Sequence, residues 1–247
     1  MNNRLIRFLS LLLQILVIGT CLAACVYGIM ISVETSDSNH YIASTARVVI
    51  LLLLTISYYK TSMTSFDPGN IFMILALLFL SVSELRILSY FSAMTGWGII
   101  PPRIGVRIQM FSQFMAYLSI AGFGLYYQNT EQVNTSAFCI MGTLGTLFLS
   151  ILLPATQDMD GIWTLLAPKI ILGVIAATAF IVMLILLFNE QTSSGIMRFI
   201  GLILIMGGNL ITIFFGAGFL YYAIGSAVYF LGGFVLMLST LRNSVIL

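Results

Sequence analysis

Residues 71–90 read IFMILALLFLSVSELRILSY, and this stretch decides what kind of fold the chain can adopt. An unbroken apolar run leads into Glu84 and Arg86, and apolar residues continue to about Met94. A span from Asn70 to about Met94 is long enough to cross a membrane, which takes about 20 mainly apolar residues. A charge near the middle of such a span costs about 2.5 to 3.5 kcal/mol on the insertion scale and usually has a partner. We therefore expect neighbouring helices to shelter Glu84 and Arg86.

The composition of the whole chain places it in a membrane. Of its 247 residues 60% are hydrophobic and 7% are charged, whereas soluble domains contain about 25% charged residues. We therefore predict an all-α fold, a polytopic transmembrane helix bundle surrounded by membrane lipids. The net charge is only +2 and the basic residues are scattered singly, which argues against nucleic acid as a partner.

The apolar runs divide the chain into eight predicted helices. Asp67 to Asn70 contains the proline and glycine that a tight turn requires. The apolar run from Ile196 to Leu241 is too long for one crossing, so it must fold back, at about Phe215 to Gly218. The predicted spans are approximately 8–33, 44–66, 70–94, 104–127, 136–155, 163–188, 197–215 and 219–240. They form a single transmembrane domain over residues 1–247, with no soluble domain.

The first span has two interpretations. Arg4 and Arg7 precede an apolar stretch, a pattern that a secretory signal shares with a first membrane helix. Residues 22–25 read LAAC, which looks like the cleavage box of a bacterial lipoprotein, and cleavage there would leave seven helices. Apolar residues continue past Cys25, however, giving about 26 residues, long enough to span the membrane with some tilt. We expect an uncleaved helix.

The arrangement of basic residues indicates the orientation of the chain in the cell membrane. The Lys and Arg residues divide equally between the two sides, but Arg86 and Lys169 lie within spans. Because the positive-inside rule counts short loops and helix ends, a slight excess remains on the amino-terminal side. Trp97 and Trp163 suit the opposite interface. We predict that both termini are cytoplasmic.

In this orientation several cations share the outer half of the bundle with Glu84. Arg47, Arg107 and Lys169 enter from the outer ends of the second, fourth and sixth spans. If these helices converge, they enclose an outward-facing cavity suited to an anionic or zwitterionic head group or solute. The residues predicted to bind such a ligand are Glu84, Arg86, Arg107, Gln113 and Lys169.

Each member of the charged pair on the third span needs a partner from another helix. Glu84 and Arg86 lie about 200° apart around a helix, too far to pair with each other. We expect Glu84 to form a structural ion pair with Arg107 or Lys169; the alternatives are direct binding of a ligand or ion, and proton-coupled chemistry. Further candidate partners follow a stripe of hydrogen-bonding groups at four-residue spacing on the fourth span, Gln109, Gln113 and Tyr117.

Small residues predict where helices approach closely. Gly218, Gly225 and Gly232 recur every seven residues, and Gly142 with Gly145 forms a smaller stripe. Smooth glycine surfaces allow close contact between helices in lipid. The longer stripe therefore predicts either packing within the bundle or a seam for a partner membrane subunit.

Asn209 lies beside Gly207 and Gly208 near the middle of the seventh span. An unpaired amide is costly there, so we expect Asn209 to hydrogen-bond across a helix interface. Alternatively, the glycines mark a break in the helix at a binding site, as in transporters with discontinuous helices.

The chain lacks the residues that membrane enzymes use. Its single histidine is His40, in a polar loop, and no aspartate lies within a predicted span. Cys21, Cys25 and Cys139 have no histidine companions and are expected to be packing residues. We predict no catalytic residue, no metal site and no cofactor, and we do not expect an enzyme.

Three functions are compatible with this pattern. The first is a non-enzymatic module that recognises a ligand or serves as a subunit of a membrane complex. The second is a small transporter that uses the intramembrane Glu84 and Arg86 site for an anionic or zwitterionic solute. The third is a lipid-modifying membrane enzyme.

Overall fold

A computed structural model describes residues 3–31, 38–64, 68–95, 101–128, 135–152, 156–157, 163–164, 166–215 and 219–245. It confirms the all-α class: each of the eight predicted spans corresponds to helical structure. The helices are α1 (Asn3–Ile31), α2 (Ser38–Thr64), α3 (Pro68–Ser83), α4 (Arg86–Thr95), α5 (Pro102–Gln128), α6 (Thr135–Leu152), α7 (Leu166–Asn189), α8 (Ser193–Phe215) and α9 (Phe219–Val245). Within the described residues, 7 helices are long and apolar enough to cross a membrane, and Ala137–Leu152 is a shorter apolar helix.

The third predicted span, 70–94, is helical, but it contains a tight turn that the sequence did not predict. α3 ends at Ser83 and α4 begins at Arg86. Between them the amide of Glu84 donates to the carbonyl of Ser81 (3.1 Å) and that of Leu85 to Val82 (3.1 Å). These bonds join residues three apart in the chain, whereas those of an α-helix join residues four apart. The backbone is therefore wound more tightly at Glu84.

The helices form a closed circuit of contacts. α2 packs on α3, α3 on α5, α5 on α7, α7 on α8, α8 on α9, and α9 returns to α2. α1 packs against α2, α3 and α4 from outside, where its buried Cys21 and Cys25 join the core. α5 is the most deeply embedded of the membrane-spanning helices: 78% of an 18-residue apolar stretch within it is buried. The circuit, which we call the ring, therefore has an interior lined by several helices.

The most extensive helix pair, α8 with α9, is joined through glycines. A Cβ on Gly208 would meet the carbonyl oxygen of Gly225 at 2.5 Å, and one on Gly201 would meet that of Gly232 at 2.9 Å. The predicted stripe thus packs within the bundle at Gly225 and Gly232, while Gly218 lies outside the described residues. α8 continues as a helix through Gly207 and Gly208, so the predicted alternative of a break there is wrong.

The predicted start of the sixth span is corrected, and the predicted end of the fifth span falls outside the described residues. Trp163 does not begin a helix: Trp163–Thr164 is a short strand, β2, paired antiparallel with β1 (Thr156–Gln157). α6 ends at Leu152, and its last predicted residues, 153–155, lie outside the described residues. Against the described residues the glycines of α6 make no tight seam: a Cβ on Gly142 would be 3.8 Å from Leu118, and one on Gly145 would meet nothing within 4 Å.

Candidate functional site

The charged residue that stood out in the sequence lies in a buried ion pair. Nη2 of Arg47, on α2, is 2.7 Å from Oε1 of Glu84, at the turn between α3 and α4. The two side chains are only 5% and 8% exposed. Two opposite charges removed from solvent in this way hold each other in place, because either one alone would be buried without compensation.

Arg47 also binds α8, which α9 separates from α2 in the ring. Its Nη1 donates to Oγ1 of Thr212 (2.9 Å) and its Nη2 to Oδ1 of Asn209 (2.7 Å), both on α8. The guanidinium carbon lies 4.6 Å from the ring centroid of Tyr229 on α9, a cation–π distance. Because α2 and α8 are not neighbours in the ring, these bonds cross its interior.

A second set of hydrogen bonds extends from Asn209 to α5. Nδ2 of Asn209 donates to the hydroxyl of Tyr117 (3.2 Å), which in turn donates to the carbonyl of Met206 (3.4 Å). Asn209 and Tyr117 are each 0% exposed. Asn209 thus hydrogen-bonds across helix interfaces as predicted. We call Arg47, Glu84, Tyr117, Asn209, Thr212 and Tyr229 the central cluster.

The central cluster contains polar atoms that no described group satisfies. Nε of Arg47 and the hydroxyl of Tyr229 are buried and have no hydrogen-bond partner. Buried polar groups are nearly always paired, so each exception calls for an explanation. Both atoms can donate, which means that a bound group with acceptor oxygens would satisfy them.

The five residues predicted to bind a ligand are placed as follows. Glu84 belongs to the central cluster, but its partner is Arg47, so the expected pairing with Arg107 or Lys169 is wrong. Nη1 of Arg107 instead donates to the carbonyl of Ile151 (2.7 Å) at the end of α6. Arg86 and Lys169 are half-buried and both make interactions with other groups.

Gln113 is 1% exposed, and its Oε1 has no hydrogen-bond partner in the part of the chain that the structure describes. It lies one helical turn before Tyr117 on α5, on the stripe that the sequence indicated. The stripe therefore leads into the central cluster at Tyr117. Ligand binding by the five predicted residues stays a prediction.

Five residues of the central cluster were not predicted as site residues: Arg47, Tyr117, Asn209, Thr212 and Tyr229. Of these, Tyr117 was named as a candidate partner, Asn209 as an interhelical hydrogen-bonding residue and Arg47 as one of the cations near Glu84. A signal was available for Arg47, the first charge inside the second apolar span. Thr212 follows Asn209 by three residues, which places both on one face of α8. The aromatic residues resemble ordinary core residues in the sequence.

Two smaller polar links lie outside the central cluster. Nε2 of Gln14 on α1 donates to Oγ1 of Thr55 (2.6 Å) and to Oγ of Ser81 (3.2 Å), which connects α1, α2 and α3. At the turn between α7 and α8, Glu190 accepts from the Thr192 hydroxyl (2.6 Å). This bond, together with those from the Thr192 amide and the Tyr127 hydroxyl, lowers the pKa of Glu190.

Within the residues that the structure describes, no three His, Cys, Asp or Glu side chains gather as metal ligands would. The chain matches no protein-family model, and no similar curated protein is found. The case for a function therefore rests on the geometry of the central cluster.

Proposed function

We propose that this multi-pass membrane protein is a non-enzymatic module that recognises a small ligand at the central cluster, alone or as a subunit of a membrane complex. One observation carries the proposal: donors without a partner lie at a buried ion pair. The pair is formed by Arg47 and by Glu84, which lies at a tightened turn between two helices, and the unpaired donors are Arg47 Nε and the hydroxyl of the adjacent Tyr229. Charged residues inside a membrane bundle commonly mark binding sites or pathways.

The chemistry of the unpaired atoms favours an anionic or zwitterionic ligand. Guanidinium groups bind carboxylate and phosphate oxygens through parallel, charge-assisted hydrogen bonds. Arg47 already directs its Nη atoms to Glu84, Asn209 and Thr212, so a ligand oxygen would reach Nε first. Glu84 could then offer its carboxylate to an ammonium group on the same ligand.

The proposal can be tested by ligand-induced stabilisation of the purified protein in lipid nanodiscs. The probes are acetate, glycine and inorganic phosphate, compared with uncharged glycerol. A ligand present at 100 times its dissociation constant stabilises the folded state by about 2.7 kcal/mol, which a thermal melt detects. We expect at least one charged probe, but not glycerol, to raise the melting temperature.

The control for this experiment is the double variant Arg47→Met with Glu84→Leu. Replacing both members of a buried ion pair with apolar residues of similar volume often preserves stability. The double variant should therefore fold but gain nothing from the charged probes. Equal shifts in the double variant and the wild type, or no shift in either, would contradict recognition at the central cluster.

A second candidate function, transport of such a solute, is favoured by the interruption between α3 and α4. Transporters commonly place their binding sites where membrane helices are discontinuous, and here the interruption coincides with Glu84. In reconstituted vesicles, Glu84→Gln should abolish flux of the solute that stabilises the protein. Glu190→Gln, outside the central cluster, is the matched control. Normal flux in the Glu84 variant would exclude transport through this site.

The role as a complex subunit has its own test. The glycines Gly225 and Gly232 are already packed against α8, so a partner would have to dock on another surface. Extraction in mild detergent followed by mass measurement should recover the chain together with a second membrane protein. Recovery as a lone monomer would count against this role and leave ligand recognition untouched.

A further inference from the structure

A lateral groove lies between α2 and α9. Its volume is about 630 Å³, within the range of small-molecule sites. Small side chains form much of its wall, Ala43 and Ala46 from α2 and Ala223 and Ala227 from α9. Along α9 the groove extends from Ala223 to Phe234, a length of about 16 Å at 1.5 Å per residue.

The groove is apolar apart from one buried hydroxyl. Ser226 lines it and is 3% exposed, yet its Oγ has no hydrogen-bond partner among the described residues. At the rim Ile42, Leu231 and Phe234 are 54%, 53% and 43% exposed, so the groove opens on the outer surface of the bundle. A membrane-spanning bundle presents that surface to lipid.

Ser226 connects the groove with the central cluster. It lies between Tyr222 and Tyr229 on one face of α9, at spacings of four and three residues. The Tyr222 hydroxyl is 2.7 Å from Oγ of Ser44 on α2, and the Tyr229 ring lies beneath Arg47. Three donors without a described partner thus lie on α2 and α9: Ser226 Oγ, which lines the groove, and the Tyr229 hydroxyl and Arg47 Nε in the central cluster.

We propose that this groove binds a single-chain amphiphile with a carboxylate head, which enters laterally from the bilayer. Its hydrocarbon chain lies along Ala227 to Phe234, and its carboxylate accepts a hydrogen bond from Ser226 and faces Arg47. The inference deepens the proposed function, on which it rests, by naming the ligand class and its route. A second copy of the chain is the alternative occupant of the groove.

The test uses palmitate that carries a photoreactive diazirine in mid-chain, added to the full chain in phospholipid nanodiscs. After irradiation, mass spectrometry of the peptides should locate the label on residues 42–46 and 223–234. Unlabelled palmitate should compete with the probe, whereas hexadecanol, which lacks the carboxylate, should not. Competition by both compounds, or labelling elsewhere in the chain, would overturn the proposal.

Three variants sharpen the test. Ser226→Ala should weaken probe binding about tenfold, because it removes a hydrogen bond to a charged group. Ser239→Ala, a buried serine on the same helix that bonds the carbonyl of Leu236, should leave binding unchanged. Ala227→Phe should fill the groove and abolish labelling. Equal labelling of all three variants would refute the site.

The remaining outcomes separate this inference from the proposed function. If cross-linking through the groove yields dimers and no labelled monomer, a second copy occupies it and the amphiphile is excluded. If acetate, glycine or phosphate stabilises the wild type but palmitate does not label the groove, the inference fails alone. If neither occurs, both fail together.

Discussion

The ion pair between Arg47 and Glu84 provides the most direct test of how the ring is held together. The perturbation is a double-mutant cycle made of Glu84→Gln, Arg47→Gln and the combined variant. Either single change leaves a buried charge without its counter-charge, while the combined change removes both charges and keeps side chains that can hydrogen-bond. The combined variant should therefore lose less stability than the sum of the losses in the two single variants.

The magnitude follows from the geometry. Charges about 4 Å apart attract by about 4 kcal/mol at an effective dielectric constant of 20, and breaking a buried pair by removing one partner costs about 3 to 5 kcal/mol. Here the contact is 2.7 Å and both side chains are under 10% exposed. We expect each single variant to lose about 3 kcal/mol or more, with a coupling energy of about 2 to 3 kcal/mol.

The assay is the free energy of unfolding in mixed micelles of increasing SDS content, followed by tryptophan fluorescence. Arg103→Gln is the matched control, because Arg103 is exposed at the start of α5 and the same substitution there should change stability by at most about 0.5 kcal/mol. The reasoning would be refuted if the losses in the free energy of unfolding of the two single variants added up to that of the combined variant. It would also be refuted if each single variant were within about 1 kcal/mol of the wild type.

Three further predictions concern packing and the loops. Gly208→Ala should destabilise the bundle by about 1 to 3 kcal/mol, because its Cβ would meet backbone atoms of α9, whereas Gly207→Ala, with nothing within 4 Å, should be neutral or slightly stabilising in the same SDS titration. Arg107→Gln should release the last carbonyls of α6, so that amides there exchange hydrogen faster while those of α5 keep their protection. Glu190 has a lowered pKa, so its stabilisation of the α7–α8 turn is present above its unfolded pKa and is lost as pH falls through its folded pKa. Hydrogen exchange of the turn amides measures this transition, and Thr192→Ala should move it to higher pH because it removes a hydrogen bond to the carboxylate. An unchanged midpoint would contradict the assignment.

The sequence predicted the helices well because their signal is local. Each crossing needs a long apolar run, and such runs are visible without any contact information. The interruption at Glu84 and Leu85 escaped detection, because hydropathy does not record which carbonyl an amide bonds. Trp163 was placed at a helix start as an interface residue, but it pairs with Gln157 in a two-residue strand, a feature too short to leave a pattern.

Half of the central ion pair could be predicted, and the other half could not. Glu84 was evident because a carboxylate inside an apolar run is costly wherever its helix lies. Arg47, Arg107 and Lys169 all entered from the same predicted side and offered the same charge. Choosing among them requires knowing which helices touch, and a single sequence contains no such contact information.

The glycine contacts of α8 and α9 are also what brings the central cluster together. Gly201 faces Gly232 and Gly208 faces Gly225, which sets the register of the two helices at two points one helical heptad apart. In that register Asn209 and Thr212 on α8 and Tyr229 on α9 all meet the guanidinium of Arg47. A slip of one residue would turn side chains by about 100° around the helix and withdraw at least one of these partners. The glycine contacts that allow α8 and α9 to pack closely therefore also place the partners of Arg47. Bulky replacements at Gly208 should disturb both the packing and the binding of Arg47 by these partners.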